Sequence, residues 1–364
     1  MRVLAAMSGG VDSSVAAALM VQAGHDVIGV TLKLWSGPDG EMPTAGCCTL
    51  SDSEDARRVA ATLGIPYYVL DYTEEFRDGV VDRFVSDYAS GRTPNPCIEC
   101  NRTVKFDRLL RRLDELECDI LVTGHHARVV ESAAGWELHR GRDSAKDQSY
   151  VLSMLTQSEL AVTRLPVGEM TKGDVRRIAG ELGLRTANKP ESMDICFVGQ
   201  GDYRGFLRKT APEAFVPGQV VDTADQVVGS HDGVAGFTIG QRRGLGVAVG
   251  EPRYVVGIDA RRATVVIGSR RDLRVDSVDL SGLTITATGL DLDGEVTCQY
   301  RAHGEVVPAT LEGSSLTFRN SQEGVAPGQT VAFYSGERVL GGAVISGTKA
   351  ETSLTRSKLV RTKV

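Results

Sequence analysis

The chain has 364 residues, so at roughly 100 to 200 residues per domain it holds two or three domains, each large enough to bury its own core. Hydrophobic residues make up 41% and charged residues 24%, which excludes a disordered chain, and the formal net charge of -6 excludes a general polyanion binder, so any nucleic-acid surface has to be regional. Apolar stretches such as Val15 to Val21 fall far short of the roughly 20 residues a bilayer span requires, and Met1-Arg2 runs straight into Val3-Leu4-Ala5-Ala6 without a cleavable leader, so the expectation is a cytoplasmic protein with no membrane partner.

Arg2 to Ala6 and Val27 to Leu32 read as strands flanking a helix from about Asp12 to Ala23, which ends at Gly24. Ser51 followed by Glu54 reads as a capping box for a helix carrying Ala56, Val59, Ala60 and Leu63 until Gly64 stops it. The strand Tyr67 to Leu70 follows, then a helix from Thr73 to about Ala89, a Gly-Pro-rich loop, a helix from about Thr103 to Leu116 and the strand Asp119 to Thr123. Thr171 caps a helix whose buried face is Val175, Ile178, Ala179 and Leu182. After Pro212 the chain turns glycine-rich, with Pro217, Gly218, Gly229, Gly233 and Gly236 reading as turns. From about Val278, segments such as Leu283 to Ala287, Glu295 to Tyr300, Leu316 to Arg319 and Thr330 to Tyr334 are short and turn-separated. The predicted class is α/β: an N-terminal doubly wound, mostly parallel sheet over 1–207, a small central β-rich domain over 208–275, a C-terminal antiparallel β-barrel over 276–350, and a basic tail, 351–364, with Arg356, Lys358, Arg361 and Lys363.

The first strand runs into Met7-Ser8-Gly9-Gly10-Val11-Asp12-Ser13-Ser14 and then a helix. Two glycines let the backbone turn tightly and offer N–H groups and a helix N-terminus to an anion, with hydroxyls from Ser8, Ser13 and Ser14 in support. The loop has neither the Lys of a G-x-x-x-x-G-K-[ST] loop nor a G-x-G-x-x-G pattern. It resembles the pyrophosphate loop of ATP pyrophosphatases (PP-loop enzymes), which adenylate a substrate, and that resemblance implies ATP on Ala6, Met7, Ser8, Gly9, Gly10, Val11, Asp12 and Ser13, with Asp12 helping to hold Mg2+. Leu32 and Gly124, at the carboxyl edge of the predicted sheet, are candidates for the adenosine pocket.

Seven cysteines, an odd number, suit thiol chemistry or metal binding better than a secreted disulfide framework. Cys97 and Cys100 stand at C-x-x-C spacing in Gly91-Arg92-Thr93-Pro94-Asn95-Pro96-Cys97-Ile98-Glu99-Cys100-Asn101, a loop in which two prolines are expected to exclude helix before Cys97. Cys196 lies far off in Ser192-Met193-Asp194-Ile195-Cys196-Phe197. The adjacent Cys47 and Cys48 read as reactive or incidental thiols, and Cys118 and Cys298 as small buried side chains.

The loop with Cys100, the segment with Cys196, Thr123-Gly124-His125-His126 and Lys146-Asp147-Gln148-Ser149-Tyr150, together with the phosphate loop, resemble the bacterial tRNA-specific 2-thiouridylase (MnmA) family over nearly the whole chain. The resemblance implies ATP-dependent replacement of O2 by sulfur on the wobble uridine of tRNAs for Lys, Glu and Gln, with Cys196 carrying a persulfide and Cys100 as the second nucleophile, leaving a Cys100–Cys196 disulfide. It also implies tRNA contacts from Asn95, Pro96, Cys97, His125, Lys146, Asp147, Gln148, Tyr300 and Arg301, and a cysteine desulfurase or sulfur-relay partner. This chain departs from the family in having Cys97 where an Asp is common. Cys97, Cys100 and Cys196 therefore offer three thiolates, and an iron–sulfur cluster on them is the alternative to a persulfide. A basic helix face of Arg102, Lys105, Arg108, Arg111 and Arg112, and the pair Arg242-Arg243, are further candidates for phosphate contacts. Two other readings remain: an ATP pyrophosphatase adenylating a small metabolite, and a nucleotide-binding redox sensor.

Overall fold

The computed structural model describes residues 1–36, 49–190, 195–198, 202–247, 250–288, 292–302 and 304–350. Cys47, Cys48, Ser192 to Asp194 and the basic tail lie outside the described residues. Among the described residues the strands form three sheets.

In the first sheet β1 (Arg2–Ala6), β2 (Asp26–Lys33), β3 (Tyr67–Asp71), β4 (Ile120–Val122) and β7 (Thr163–Arg164) run parallel in the order β3-β2-β1-β4-β7. Successive residues of β1 point to opposite faces. Val3 and Ala5 meet Val15, Ala56 and Val175 on one side, while Leu4 meets Phe76, Leu109 and Leu121 on the other. Helices α1 (Val11–Gln22), α2 (Leu50–Leu63) and α8 (Lys172–Glu181) cover the first side. The second is covered by two helical stretches: α3 (Thr73–Phe76), a π turn (Arg77–Val81) and α4 (Asp82–Ala89); then α5 (Pro96–Glu99), a π segment (Cys100–Phe106) and α6 (Asp107–Glu115). The stretches touch at their π turns, where a Cβ on Gly79 would lie 3.1 Å from Thr103 Oγ1.

Two sequence readings are corrected here. The α2 cap is Thr49 with Asp52 rather than Ser51 with Glu54: the Asp52 N–H donates to Thr49 Oγ1 at 3.1 Å, and the Thr49 N–H to Asp52 Oδ2 at 2.9 Å. The helix expected from Thr103 begins at Pro96, because proline at the first helical position gives up only an N–H that has no intrahelical partner, and Asn95 Oδ1 accepts from the Ile98 N–H at 3.3 Å as its cap.

α9 (Tyr203–Thr210) leads into a four-stranded central sheet, β10-β11-β8-β9, made of β8 (Gly218–Asp222), β9 (Val227–His231), β10 (Tyr254–Asp259) and β11 (Thr264–Gly268). Gly218 and Gly229 lie inside strands rather than turns; a Cβ on Gly218 would sit 1.7 Å from the Ala263 carbonyl oxygen, so glycine there permits close strand approach. The third sheet contains a closed antiparallel barrel of β12 (Arg274–Ile285), β13 (Gly294–Gln299), β14 (Val307–Glu312), β15 (Ser315–Glu323), β16 (Thr330–Ser335) and β17 (Arg338–Lys349), closed by pairing of β12 with β17.

Sequence patterning did not anticipate the hairpin β5 (Ala127–Ser132) and β6 (Gly135–Arg140), which leaves the α/β domain and pairs with β17 of the barrel. The two domains therefore share a sheet and a core in which Leu138 and Tyr150 pack with Ala332, Tyr334 and Val339. Arg140 is the polar pin of this joint. Its guanidinium lies 3.9 Å from the Tyr334 ring centre, donates to Asp147 Oδ2 at 2.7 Å and reaches Gln299 Oε1 at 3.2 Å. The Asp147 carboxylate also accepts from the Gly141 and Ser149 N–H groups, each at 3.0 Å. Removing one member leaves a largely buried charge without compensation, so Asp147→Ala should lower unfolding free energy by about 3 kcal/mol in urea titrations of the full chain.

Candidate functional site

The sheet order reverses between β1 and β4, and the loop 7–14 lies at that switch point, at the carboxyl ends of both strands. The Met7 N–H extends β1 by a bond to the Val30 carbonyl at 2.7 Å, after which the chain turns at Gly9 with φ +71°. A Cβ on Gly9 would lie 2.1 Å from the Asp52 carbonyl oxygen, and one on Gly124 would lie 2.4 Å from the Ser13 nitrogen. Only glycine at both places lets β4, the loop and the start of α2 close around the N-terminus of α1. The first N–H groups of α1 have no intrahelical partners, so the concavity favours an anion. The serines divide their work. Ser13 Oγ lies 3.1 Å from the Ser8 N–H and 3.2 Å from the Gly10 carbonyl, while the fully buried Ser14 donates its hydroxyl to Gly10 O at 2.7 Å. Ser14 therefore holds the loop's shape, a correction to its reading as a donor to the anion.

Two lysines unremarked in the sequence, and His126, noted there only as part of a motif, complete this site. Lys172, in the first turn of α8, places its ammonium 2.9 and 2.7 Å from the two Asp12 oxygens. His126, 2% exposed, sets Nε2 3.0 Å from Asp12 Oδ1. Burial raises the Asp12 pKa, but the bonds from His126 and Lys172 outweigh it and the net direction is down. Lys189 reaches the Gly9 carbonyl at 3.0 Å, Asp52 at 2.7 Å and Asp55 at 2.6 Å, bracing the loop against α2. One local signal pointed to Lys172: a cation in a helix's first turn opposes the helix dipole, which flags an external acidic partner. Nothing local marks Lys189, and His126 was marked only by its place in the motif Thr123 to His126.

Cys100 is buried at the start of the π segment, Cys97 is exposed one turn earlier, and Cys196 is half-buried. Cys100 belongs to the core cluster that contains Leu32 and Phe84, and Cys196 packs against the same cluster. Its neighbour Phe197 stacks edge-on with Phe84 at 5.2 Å, and one residue before Phe84, Arg83 reaches Glu99 at 3.0 Å, beside Cys100. Among the described residues no set of three Cys, His, Asp or Glu side chains is gathered to hold a metal. In this conformation exposed Cys97, buried Cys100 and half-buried Cys196 are not gathered as a ligand set. Cys118 and Cys298 are buried as expected, and burial pushes the Cys298 thiol up to about 12, where it is inert.

Several residues read as RNA contacts are engaged within the chain. Gln148 grips His126 twice, its Oε1 accepting from the His126 N–H and its N–H donating to the His126 carbonyl, both at 2.9 Å. Asp147 holds Arg140, and Asn95 caps α5. Pro96 is buried, and Lys146 follows Asp143 in a turn closed by a 3.0 Å bond. Tyr300 is 9% exposed in the barrel core with its hydroxyl 3.0 Å from Gln322, and Arg301 bonds the carbonyls of Glu323 and Gly324. The Tyr300 ring fills the barrel and offers no open stacking face to a base in this conformation. On α6 and the preceding segment Arg102, Arg108, Arg111 and Arg112 each face an acid, which tempers the expected basic face. Arg242 and Arg243 are exposed on the central domain.

A glycine-turned anion loop at a parallel-sheet switch point, with a half-buried thiol and a buried one against the neighbouring core, defines a PP-loop α/β domain, here joined to a small β domain and a barrel. The family profile described as tRNA methyl transferase HUP domain matches residues 1–200; those described as tRNA methyl transferase PRC-barrel domain and aminomethyltransferase beta-barrel domain match 204–269 and 271–345. The proteins named tRNA-specific 2-thiouridylase MnmA from Roseiflexus castenholzii and Acidothermus cellulolyticus are 45% and 48% identical to the chain, over 95% and 96% of its length and 99% and 98% of theirs. The chain belongs to the tRNA-specific 2-thiouridylase (MnmA) family. Among the described residues no helix is long and apolar enough to cross a membrane.

His125 supplies a pH test. Its Nδ1 lies 2.7 Å from Thr123 Oγ1, and desolvation, aided by the charges of Lys105 and His126, pushes its pKa down to about 3. The ring is neutral at physiological pH and offers no cation to a phosphate. Between about 6.5 in the unfolded chain and that folded value the unfolded state binds more protons, so the contribution is intact above the unfolded pKa and lost as pH falls. In urea midpoints measured from about pH 7 downward, His125→Gln should flatten this part of the acid limb.

Proposed function

We propose that this chain is a tRNA-uridine 2-sulfurtransferase that uses ATP to replace O2 of the wobble uridine of tRNAs for Lys, Glu and Gln with sulfur, working in the cytoplasm. The observation that carries the reading is the common core beneath Cys100 and Cys196 beside Leu32 at the edge of the nucleotide-type loop. The uracil C2 oxygen is a poor leaving group, so ATP first converts it to an adenylate with loss of pyrophosphate. Ala6 to Ser13 would cradle the phosphates, with Leu32 and Gly124 at the adenosine. The terminal sulfur of a Cys196 persulfide attacks C2 and AMP leaves. The Cys100 thiolate then attacks Cys196 Sγ, the persulfide bond breaks, the sulfur stays with the uridine and a Cys100–Cys196 disulfide remains. A desulfurase or relay protein supplies the persulfide sulfur.

Asp12 fits Mg2+, since a hard carboxylate beside phosphate oxygens is the usual donor set, and the ion would neutralise charge on the departing pyrophosphate. Lys172 would follow the phosphates when Asp12 turns to the ion. The profiles' names speak of methyl transfer, but methyl transfer has no use for a loop of this type, whereas adenylation followed by sulfur transfer uses both the loop and the thiols.

Mass analysis of wobble nucleosides after reaction with ATP, tRNA and a desulfurase tests the proposal. Wild type should yield 2-thiouridine, whereas Cys100→Ser and Cys196→Ser should each lose more than about 100-fold in yield with ATP affinity retained within roughly threefold. Full turnover by either variant would favour a small-metabolite adenylase, and absence of AMP formation by wild type would favour a redox sensor. Lys172→Met should weaken ATP binding roughly tenfold or more, the loss of one charge-assisted hydrogen bond, with partial rescue by Lys172→Arg in calorimetric titration.

A further inference from the structure

The proposed transfer ends with Cys100 and Cys196 oxidised to each other, and Cys100 is only 6% exposed. A bulky reductant has poor access to that sulfur. Cys97 stands three residues earlier on the same helical stretch and is exposed. Helical geometry separates Cα atoms three residues apart by about 5 Å, inside the roughly 4.4–6.8 Å range that a disulfide spans. Both side chains also share a face, because residues at i and i+3 are neighbours on a helix surface. Asn95 caps this turn and Pro96 stiffens it, and the Thr93 N–H, just before them, is anchored to the Pro327 carbonyl of the barrel at 2.7 Å.

We propose that Cys97 and Cys100 form a second, recyclable dithiol pair in which Cys97 carries the oxidation out of the buried site to a soluble dithiol reductant. The inference rests on the sulfur transfer proposed above. The Cys97 thiolate attacks Cys100 Sγ. The Cys97–Cys100 bond forms as the Cys100–Cys196 bond breaks, and Cys196 leaves as a thiolate ready to accept the next sulfur. A soluble dithiol then attacks exposed Cys97 Sγ and releases Cys100; its second thiol displaces Cys97 from the mixed disulfide. Two electrons pass to the protein, both cysteines return reduced with protons from the reductant's thiols, and the reductant departs as its own disulfide. A family member with Asp at this position lacks the thiol for this exit, so the chemistry belongs to the Cys97 form.

Two measurements test it. In graded glutathione buffers, mass mapping of the full chain should find a Cys97–Cys100 disulfide, and its absence at every potential would overturn the proposal. In turnover assays with thioredoxin as reductant and saturating tRNA, Cys97→Ser should lower the ratio of the steady-state rate to its own first-turnover burst at least tenfold. The Cys100–Cys196 disulfide should then accumulate, and excess dithiothreitol should restore the ratio. A ratio equal to that of wild type would make Cys97 a bystander and overturn the inference. Iron and acid-labile sulfide in stoichiometric amounts after anaerobic purification would overturn it in favour of a cluster. If wild type forms no 2-thiouridine, the functional proposal has failed, and the redox titration still reads the dithiol by itself.

Discussion

The Asp12 carboxylate is the contact on which the rest of the molecule converges. It sits in the first turn of α1, where the strand order of the parallel sheet reverses, and is held by Lys172 from α8 and by His126 beyond the end of β4. A carboxylate among positive helix ends is stabilised at low cost, and here its partners come from remote parts of the chain. His126 is gripped by Gln148, next to Asp147 and Ser149, which join the barrel through Arg140 and Tyr334. The anion loop and the C-terminal barrel are thus linked by consecutive polar contacts rather than by a flexible connection.

The same segment reaches the cysteines. The turn holding Tyr150 packs against the helix that carries Cys97, and the Tyr150 hydroxyl donates to the Thr330 carbonyl of the barrel at 2.9 Å. Gly91 faces Ile258 of the central sheet and Gly328 faces Thr93, each closely enough that a Cβ would collide. All three β and α/β units therefore meet around the loop that delivers the thiols. These contacts hold the loop that leads to Cys97 and Cys100 in place, at the cost of its freedom.

Charge is used locally. The cations of α6 are largely neutralised by acids on their own helix, and the Asp147–Arg140 pair is nearly buried, so neither advertises a broad polyanion surface. The net charge of the chain agrees with that restraint. Cys118 and Cys298 are buried, and burial raises both their pKa values, which keeps their thiols protonated.

Local chemistry was enough to read the alternating strands and helices of the first domain, the anion loop, the cap at Thr171 and the antiparallel character of the third domain, because each depends on hydrophobic period, glycine or a side-chain cap within a few residues. It misread the α2 cap by two residues and placed the start of the Cys100 helix too late, since proline is both a helix breaker and a good first residue. The hairpin β5–β6 pairing with β17 and the reach of Lys189 to the loop had no local signature, and nothing local told which carboxylate Lys172 and His126 would meet. Those contacts join residues more than a hundred positions apart, and only the closing of the sheet around α1 and of the barrel onto β6 decides which distant charges and strand edges meet.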